Sequence, residues 1–229
     1  MQDKVLLITN ATTGVAMATA RAASREGYRL VLAADSRSGL EAITQELGPE
    51  NVVAVEVDAT SVQDQAIMIE QALEYFGHID AIFASPIRES DARGLGSADT
   101  DTWQDMLMTH VYSVGIAIQA ALPSLRKTQG HILLTGFATG CPVAPGSMYN
   151  ITRWAITGIG YNLRRELEHS GVRVTMIEPG AAGDSVLDAS LDGTLQDRDI
   201  ANAVSHALAQ PLHADVSRIL IPPSFHVEN

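Results

Sequence analysis

Seven short apolar runs separated by helix-length segments constrain the fold of this chain more than any other feature. They are Lys4–Thr9 (KVLLIT), Arg29–Ala34 (RLVLAA), Val52–Val57 (VVAVEV), Ile79–Ala84 (IDAIFA), His131–Thr135 (HILLT), Val172–Ile177 (VRVTMI) and Arg218–Ile221 (RILI). Each is too short for a helix and almost continuously apolar, the pattern of a strand buried on both faces. The intervening segments carry apolar residues at three and four spacing, as in Ile67, Ile69, Leu73 and Phe76, or Trp154, Ile156, Ile159, Leu163 and Leu167. Strict alternation of strand and helix predicts right-handed crossovers, hence a doubly wound α/β fold with a seven-stranded parallel sheet and helices on both faces. A length of 229 residues accommodates one such domain, expected to span 1–229, and would crowd a second. The most irregular stretches, 86–100 (PIRESDARGLGSADT) and 180–194, follow strand C-terminal ends, where sheets of this kind bind ligands.

Charge and composition narrow the partners. A formal charge of −12 with scattered basic residues argues against a nucleic-acid surface, which needs clustered Lys and Arg. With 46% apolar and 18% charged residues the composition is globular, and no window approaches an unbroken membrane-spanning length, so no membrane is expected. Met1-Gln2-Asp3-Lys4 runs at once into a strand without a secretory apolar region, and a cytoplasmic location is the expectation. The single Cys141 cannot form an internal disulfide. His78, His131, His169, His206, His213 and His226 show no ligand spacing with carboxylates or Cys141, and no metal site is expected. Small molecules or other protein chains remain as partners.

The turn after the first strand reads TNATTGVA, Thr9 to Ala16. A dinucleotide-binding turn places glycines there so that the chain bends tightly, approaches the pyrophosphate and packs its helix on the sheet. Only Gly14 is present. Asn10 tolerates left-handed backbone angles better than most residues and can preserve the turn, whereas Ala16 adds a methyl group where the helix meets the sheet or the ligand. Asp35, at the end of the second strand, either binds an adenosine ribose or opens the turn Asp35-Ser36-Arg37-Ser38-Gly39 into the next helix.

These features resemble the short-chain dehydrogenase/reductase family over nearly the whole chain. The family's TGxxxGxG turn corresponds to Thr9, Asn10, Gly14, Val15 and Ala16, its ribose-binding acid to Asp35, and its adenine-side Asp to Asp58 in VEVDAT. GHILLTGFATG (130–140) is similar to the strand and loop that carry the catalytic Ser, YNITR (149–153) to the YxxxK motif, and RVTMIEPG (173–180) to the strand ending in Pro-Gly, here Pro179 and Gly180. The resemblance implies a Rossmann-like fold, NAD or NADP as cofactor, a small carbonyl or alcohol substrate, and assembly as a homo-oligomer or a hetero-oligomer with a relative. Several stations in order are a strong family signal where any one alone would be weak.

Departures from the family fall on its working positions. The NNAG segment becomes Ala84, Ser85, Pro86 and Ile87; the structural Asn becomes His110; the Ser becomes Phe137; the Lys becomes Arg153; and the Thr expected after Gly180 gives way to Gly183 and Asp184. In the family a Tyr exchanges the proton, a Lys supports it and a Ser binds the substrate oxygen. Tyr149 is retained, and Arg153 four residues later shares its helix face, so a permanent positive charge is available to a phenolate although it cannot relay a proton. Phe137 cannot donate a hydrogen bond, a loss that costs about 10²- to 10³-fold in rate unless Thr135, Thr139 or Ser147 supplies a hydroxyl. His110 is either a proton-handling residue or a hydrogen-bonded structural one. Three functions follow: an oxidoreductase using Tyr149 and Arg153; a partner subunit that lost its chemistry and supports an active relative; and a non-redox lyase similar to the halohydrin dehalogenases, which pair a Tyr with an Arg four residues on but retain the Ser. Cofactor binding is expected to be weak or absent.

Overall fold

The computed structural model describes residues 3–85, 96, 99–136, 148–180 and 195–222. Its strands are β1 (Val5–Ile8), β2 (Arg29–Ala34), β3 (Val52–Glu56), β4 (Ala81–Ala84), β5 (His131–Thr135), β6 (Arg173–Pro179) and β7 (Arg218–Ile221). All pair in parallel, in the order β3-β2-β1-β4-β5-β6-β7. The order reverses between β1 and β4, so the crevice beyond the carboxyl ends of these two strands is the topological switch point. The expected sheet is present, with β4 beginning two residues later than its apolar run. Ile79 and Asp80 serve the preceding turn instead: Asp80 N–H donates to Val5 O, and Val5 N–H donates to Asp80 Oδ2.

Alternation along each strand divides the core into two layers. Leu6, Ile8, Leu30, Leu32, Phe83 and Leu133 face α1 (Gly14–Arg25), α2 (Arg37–Leu47) and α7 (Asp197–Leu208). Leu7, Val31, Ile82, Ile132, Leu134 and Met176 face α3 (Val62–Phe76), α5 (Ser113–Thr128) and α6 (Met148–Glu166). Side-chain caps start α2 and α3, Ser36 and Ser61 each accepting from the N–H three residues on. The buried face of α3 is Gln65, Met68, Ile69 and Ala72, whereas Ile67 and Leu73 are 38% and 37% exposed. Of the α3 residues expected to form that face, Ile69 alone is fully buried. Small and polar residues suffice where the helix lies close, and Gln65 donates to Ala59 O.

Helix α4 (Thr100–Met106) runs through a π-helical turn, Leu107–Tyr112, into α5 without a break. The continuous helix Thr100–Thr128 is long and apolar enough by composition to cross a membrane, which corrects the expectation that no window approaches such a span. Its apolar side is the core itself: Val114, Ala117, Ile118, Ala121 and Leu125 are buried against the sheet.

Helix α6 sits low on β5 and β6 because two positions lack a Cβ. A methyl group on Gly136 would fall 2.3 Å from Met176 Cε, and one on Gly160 would fall 2.2 Å from Met176 Sδ. Met176 fills the space between the two glycines. This seats α6 and, with it, the first turns that carry Tyr149 and Arg153.

Candidate active site

Chemistry gathers at the carboxyl ends of the strands. Asn10 follows β1 with a left-handed φ of +50° and ties the switch point together, its Nδ2 donating to Ser85 O at 2.8 Å. The Asn10 carbonyl accepts from Thr13 N–H and from Thr13 Oγ1, each at 3.0 Å. Thr9 N–H donates to Phe83 O, joining β1 to β4. Ser85 Oγ lies 2.9 Å from Thr135 Oγ1, both residues buried, so hydroxyls link the ends of β4 and β5. Thr135 shares a strand face with Leu133, on the α1 side of the sheet, and its hydroxyl is engaged by Ser85. Phe137, Thr139 and Ser147 lie outside the described residues.

A cleft of about 550 Å³ opens beside Asn10, lined further by Asp35, Asp58, Asp64, Thr109 and His110. The structure thus brings together Asn10, Asp35, Asp58 and His110. Asp35 is exposed at the end of β2, while Ser36 performs the capping, so the turn reading and the ligand reading of Asp35 do not compete. Arg37 pairs with Glu41 one helical turn on, at 3.2 Å. Asp58 Oδ1 accepts from Thr60 Oγ1 and from Thr60 N–H, and these hydrogen bonds hold its carboxyl below the usual carboxylate range. Among the described residues lining this cleft there is no Lys or Arg.

On the other side of the switch point, α6 presents Tyr149 and Arg153 one turn apart. Arg153 Nη1 donates to Tyr149 Oη at 2.9 Å, and its guanidinium carbon is 5.4 Å from the Tyr149 ring centre. Nε and Nη2 both donate to Gly136 O, at 3.1 and 2.5 Å. The guanidinium is buried and aimed, with one edge fixed by the main chain of β5 and the other on the phenol oxygen. His110, within the π-helical turn, meets Tyr149 edge to face with ring centres 5.8 Å apart. Thr152 donates its hydroxyl hydrogen to Tyr149 O, so at 3.1 Å it accepts from His110 Nδ1–H, which defines the tautomer. His110 is a buried, hydrogen-bonded support of the α6 start. A π-helical turn is a common feature of functional sites, because its extra residue re-aims side chains.

The other positions singled out by sequence lie in the α1 layer and at strand ends. Val15 and Ala16 are buried in the α1 layer, so the Ala16 methyl group meets the sheet rather than the cleft. Ala84 is buried within β4, and Pro179 and Gly180 end β6, where Gly180 N–H donates to Ile221 O. Gly14 opens α1 against α7, facing Asp197.

Two further residues bear on the site and were not singled out by sequence. Glu178 is 1% exposed, sits on the α6-facing side of β6 beside Gly136, and pairs with Arg218 of β7. Burial pushes its carboxyl up, opposed by Arg218 and Arg153. Thr152 is the second, and its hydroxyl requires both the Tyr149 carbonyl and the π-helical turn to find its role.

The chain matches the short chain dehydrogenase family over residues 4–193. It belongs to that family. An uncharacterized oxidoreductase of Staphylococcus aureus (strain USA300) is 31% identical over 97% of this chain and 98% of its own length. Among solved structures, an alcohol dehydrogenase from the archaeon Thermococcus sibiricus, complexed with 5-hydroxy-NADP, superimposes with a TM-score of 0.86 at 28% identity, covering 99% of this chain and 98% of its own. The serine dehydrogenase of Escherichia coli shares the fold, with a TM-score of 0.84 at 24% identity over 95% of this chain and 96% of its own.

Proposed function

We propose that this protein is an oxidoreductase acting on a small carbonyl or alcohol with a nicotinamide dinucleotide, NAD in preference to NADP, and that Tyr149 is its proton donor and acceptor. The observation that carries the reading is the 2.9 Å hydrogen bond from Arg153 Nη1 to Tyr149 Oη, formed by a guanidinium already anchored on Gly136 O.

The residues around the switch point fit the cofactor. Asn10 keeps the tight left-handed turn, Gly14 leaves the α1 start bare, and the cleft runs from that turn to Asp35 and Asp58. Asp35 would hold the adenosine ribose hydroxyls, and a 2′-phosphate there would meet Asp35 and Asp58 with Arg37 already paired to Glu41. Bound there, the nicotinamide supplies or receives the hydride. The chain's own part is the proton. Tyr149 Oη passes its proton to the oxygen of a carbonyl being reduced, and Arg153 Nη1–H stabilises the phenolate oxygen left behind. In the other direction the same oxygen accepts the alcohol proton. Because Arg153 stays charged throughout, the returning proton reaches Tyr149 from solvent or substrate and not through residue 153.

The relatives support this reading: the Staphylococcus aureus protein is named an oxidoreductase and the Thermococcus sibiricus alcohol dehydrogenase holds an NADP derivative. Assembly belongs to the same proposal. Helix α6 turns Ile151, Trp154 and Tyr161 outward at 40%, 44% and 56% exposure, and Leu107, Met108 and Tyr112 stand exposed on the neighbouring helix, an apolar face for a second copy or a relative of this chain.

Tyr149→Phe tests the reading. Turnover of a carbonyl panel with NADH falls by about 10²- to 10⁴-fold, while calorimetry finds NAD affinity within about twofold of the parent, because only one hydroxyl is removed. Turnover indifferent to Tyr149, or found only with a copurifying relative, would sink it in favour of the partner-subunit reading.

A further inference from the structure

The start of α1 is left without a cap of its own. Thr13, its N-cap residue, makes no side-chain cap and instead donates its hydroxyl hydrogen backward to Asn10 O. The first turn of α1 contains no acidic residue. A helix start in this condition carries unsatisfied N–H groups and a partial positive charge, and so favours an anion.

The nearest carboxylate comes from another helix. Asp197 is the first residue of α7, and a methyl group on Gly14 would fall 2.1 Å from Asp197 Oδ2 and 2.8 Å from its Cγ. The carboxylate thus rests on the bare face of Gly14. Helix α7 does not need it, because Gln196 and Asp199 already form a complete capping box, with Gln196 N–H donating to Asp199 Oδ2 at 2.8 Å. Among the described residues Asp197 has no ion pair, and burial alone pushes its carboxyl up from the usual carboxylate range. A half-buried charge, free of duty on its own helix, is placed where the second glycine of a dinucleotide turn lets the backbone approach a pyrophosphate.

We propose that Asp197 sets the affinity of the nucleotide site: its carboxylate, packed on Gly14 at the start of α1, is a resident negative charge against which the phosphates of a dinucleotide must bind. The inference rests on the cofactor reading above. It predicts a penalty confined to phosphate-bearing ligands, since the adenosine end would lie along Asp35 and Asp58, in a cleft apart from the one that Asp197 lines.

Calorimetric titration of ADP, NAD and adenosine into the parent protein, Asp197→Asn and Asp197→Ser tests it. Asn keeps the shape and removes the charge; Ser removes both and serves if the Asn variant fails to fold. The expected result is about three- to tenfold tighter binding of ADP and NAD in both variants, shrinking as salt screens the repulsion, with adenosine unchanged. Unchanged or weaker ADP binding, or an equal gain for adenosine, overturns the role of Asp197 and leaves the cofactor reading standing. Failure of all three ligands to bind any of the proteins overturns both.

Discussion

The two ends of the sheet use the same strands for opposite purposes. At the amino end, polar groups are committed to one another: Val5 N–H to Asp80 Oδ2, His131 N–H to Asp80 O, and Arg173 N–H to Gly130 O. His131 Nε2–H donates to Thr175 Oγ1 at 2.7 Å, and that hydroxyl donates to Val216 O. Arg173 is buried and reaches the carbonyls of Gln210 and Ala214. At the carboxyl end, Asp35 and Asp58 stay exposed and the Tyr149 hydroxyl is only half-buried, held by a single guanidinium. The amino end commits these groups to one another; the carboxyl end, beside its own buried links through Asn10, Ser85 and Thr135, keeps Asp35, Asp58 and the Tyr149 hydroxyl available. A substitution at one end should therefore leave the property of the other unchanged.

The largest effect is expected at the carboxyl end. Arg153→Met removes the donor to Tyr149 Oη and should lower turnover by about 10²-fold or more. Because Nε and Nη2 are spent on Gly136 O and Nη1 on the phenol, NAD affinity measured by calorimetry should change by less than about threefold. A large loss of NAD affinity would show that the guanidinium serves the cofactor and that the nucleotide and catalytic halves are not separate.

The next effect belongs to the amino end and is one of stability. Burial, with Arg173 nearby, pushes the His131 imidazole down to about 3 from its ordinary 6.5. Above that ordinary value neither the folded nor the unfolded chain protonates it. Below it the unfolded chain takes up the proton and the folded chain does not, so stability is lost as the pH falls through this window. The loss reaches about 2 kcal/mol by pH 5. Urea unfolding at pH 7 and pH 5 should show this difference in the parent and a smaller one in His131→Gln, with NAD affinity at pH 7 unchanged. An equal pH dependence in both proteins would mean that the imidazole is not held neutral by the fold.

The smallest effect sharpens the contrast at the other end. Asp35→Ser should narrow the preference for NAD over NADP by about tenfold, roughly the cost of placing a phosphate beside one exposed carboxylate, without moving the urea midpoint. An unaltered ratio of the two affinities would show that Asp35 only begins the turn into α2.

The sheet was legible in the sequence because a parallel strand covered on both sides must be apolar throughout, and β2 and β5, which are buried along almost their whole length, begin and end where their runs do; the edge strands β3 and β7 correct the expectation of seven buried strands, since β3 is only partly buried and β7 has no buried residue. Boundaries moved where a tertiary partner intervened. Ile79 and Asp80 were drawn into the turn before β4, and β6 runs on to Pro179, whose register partner is Ile221 of β7. The helical faces were less legible, since Ile67 and Leu73 look like core residues until Gln65 and Met68 are seen to take the inner positions of α3. Tyr149 and Arg153 could be found by their spacing. Thr152, Glu178 and Asp197 could not, because each acquires its role from a residue far along the chain: His110 for Thr152, Arg218 for Glu178, Gly14 for Asp197.

The seating of α6 on Met176 has a mechanical consequence. The helix rests on that thioether at Gly160, eleven residues from Tyr149, an arm of about 16 Å at the usual helical rise. A tilt of about 5° around this fulcrum would swing the phenol by roughly 1.4 Å, and a misplacement of about 1 Å is enough to cost an active site around 10²-fold. The aim of the reacting oxygen is therefore set by how closely one thioether, its sulfur against Gly160 and its methyl against Gly136, fits between two residues that have no side chain.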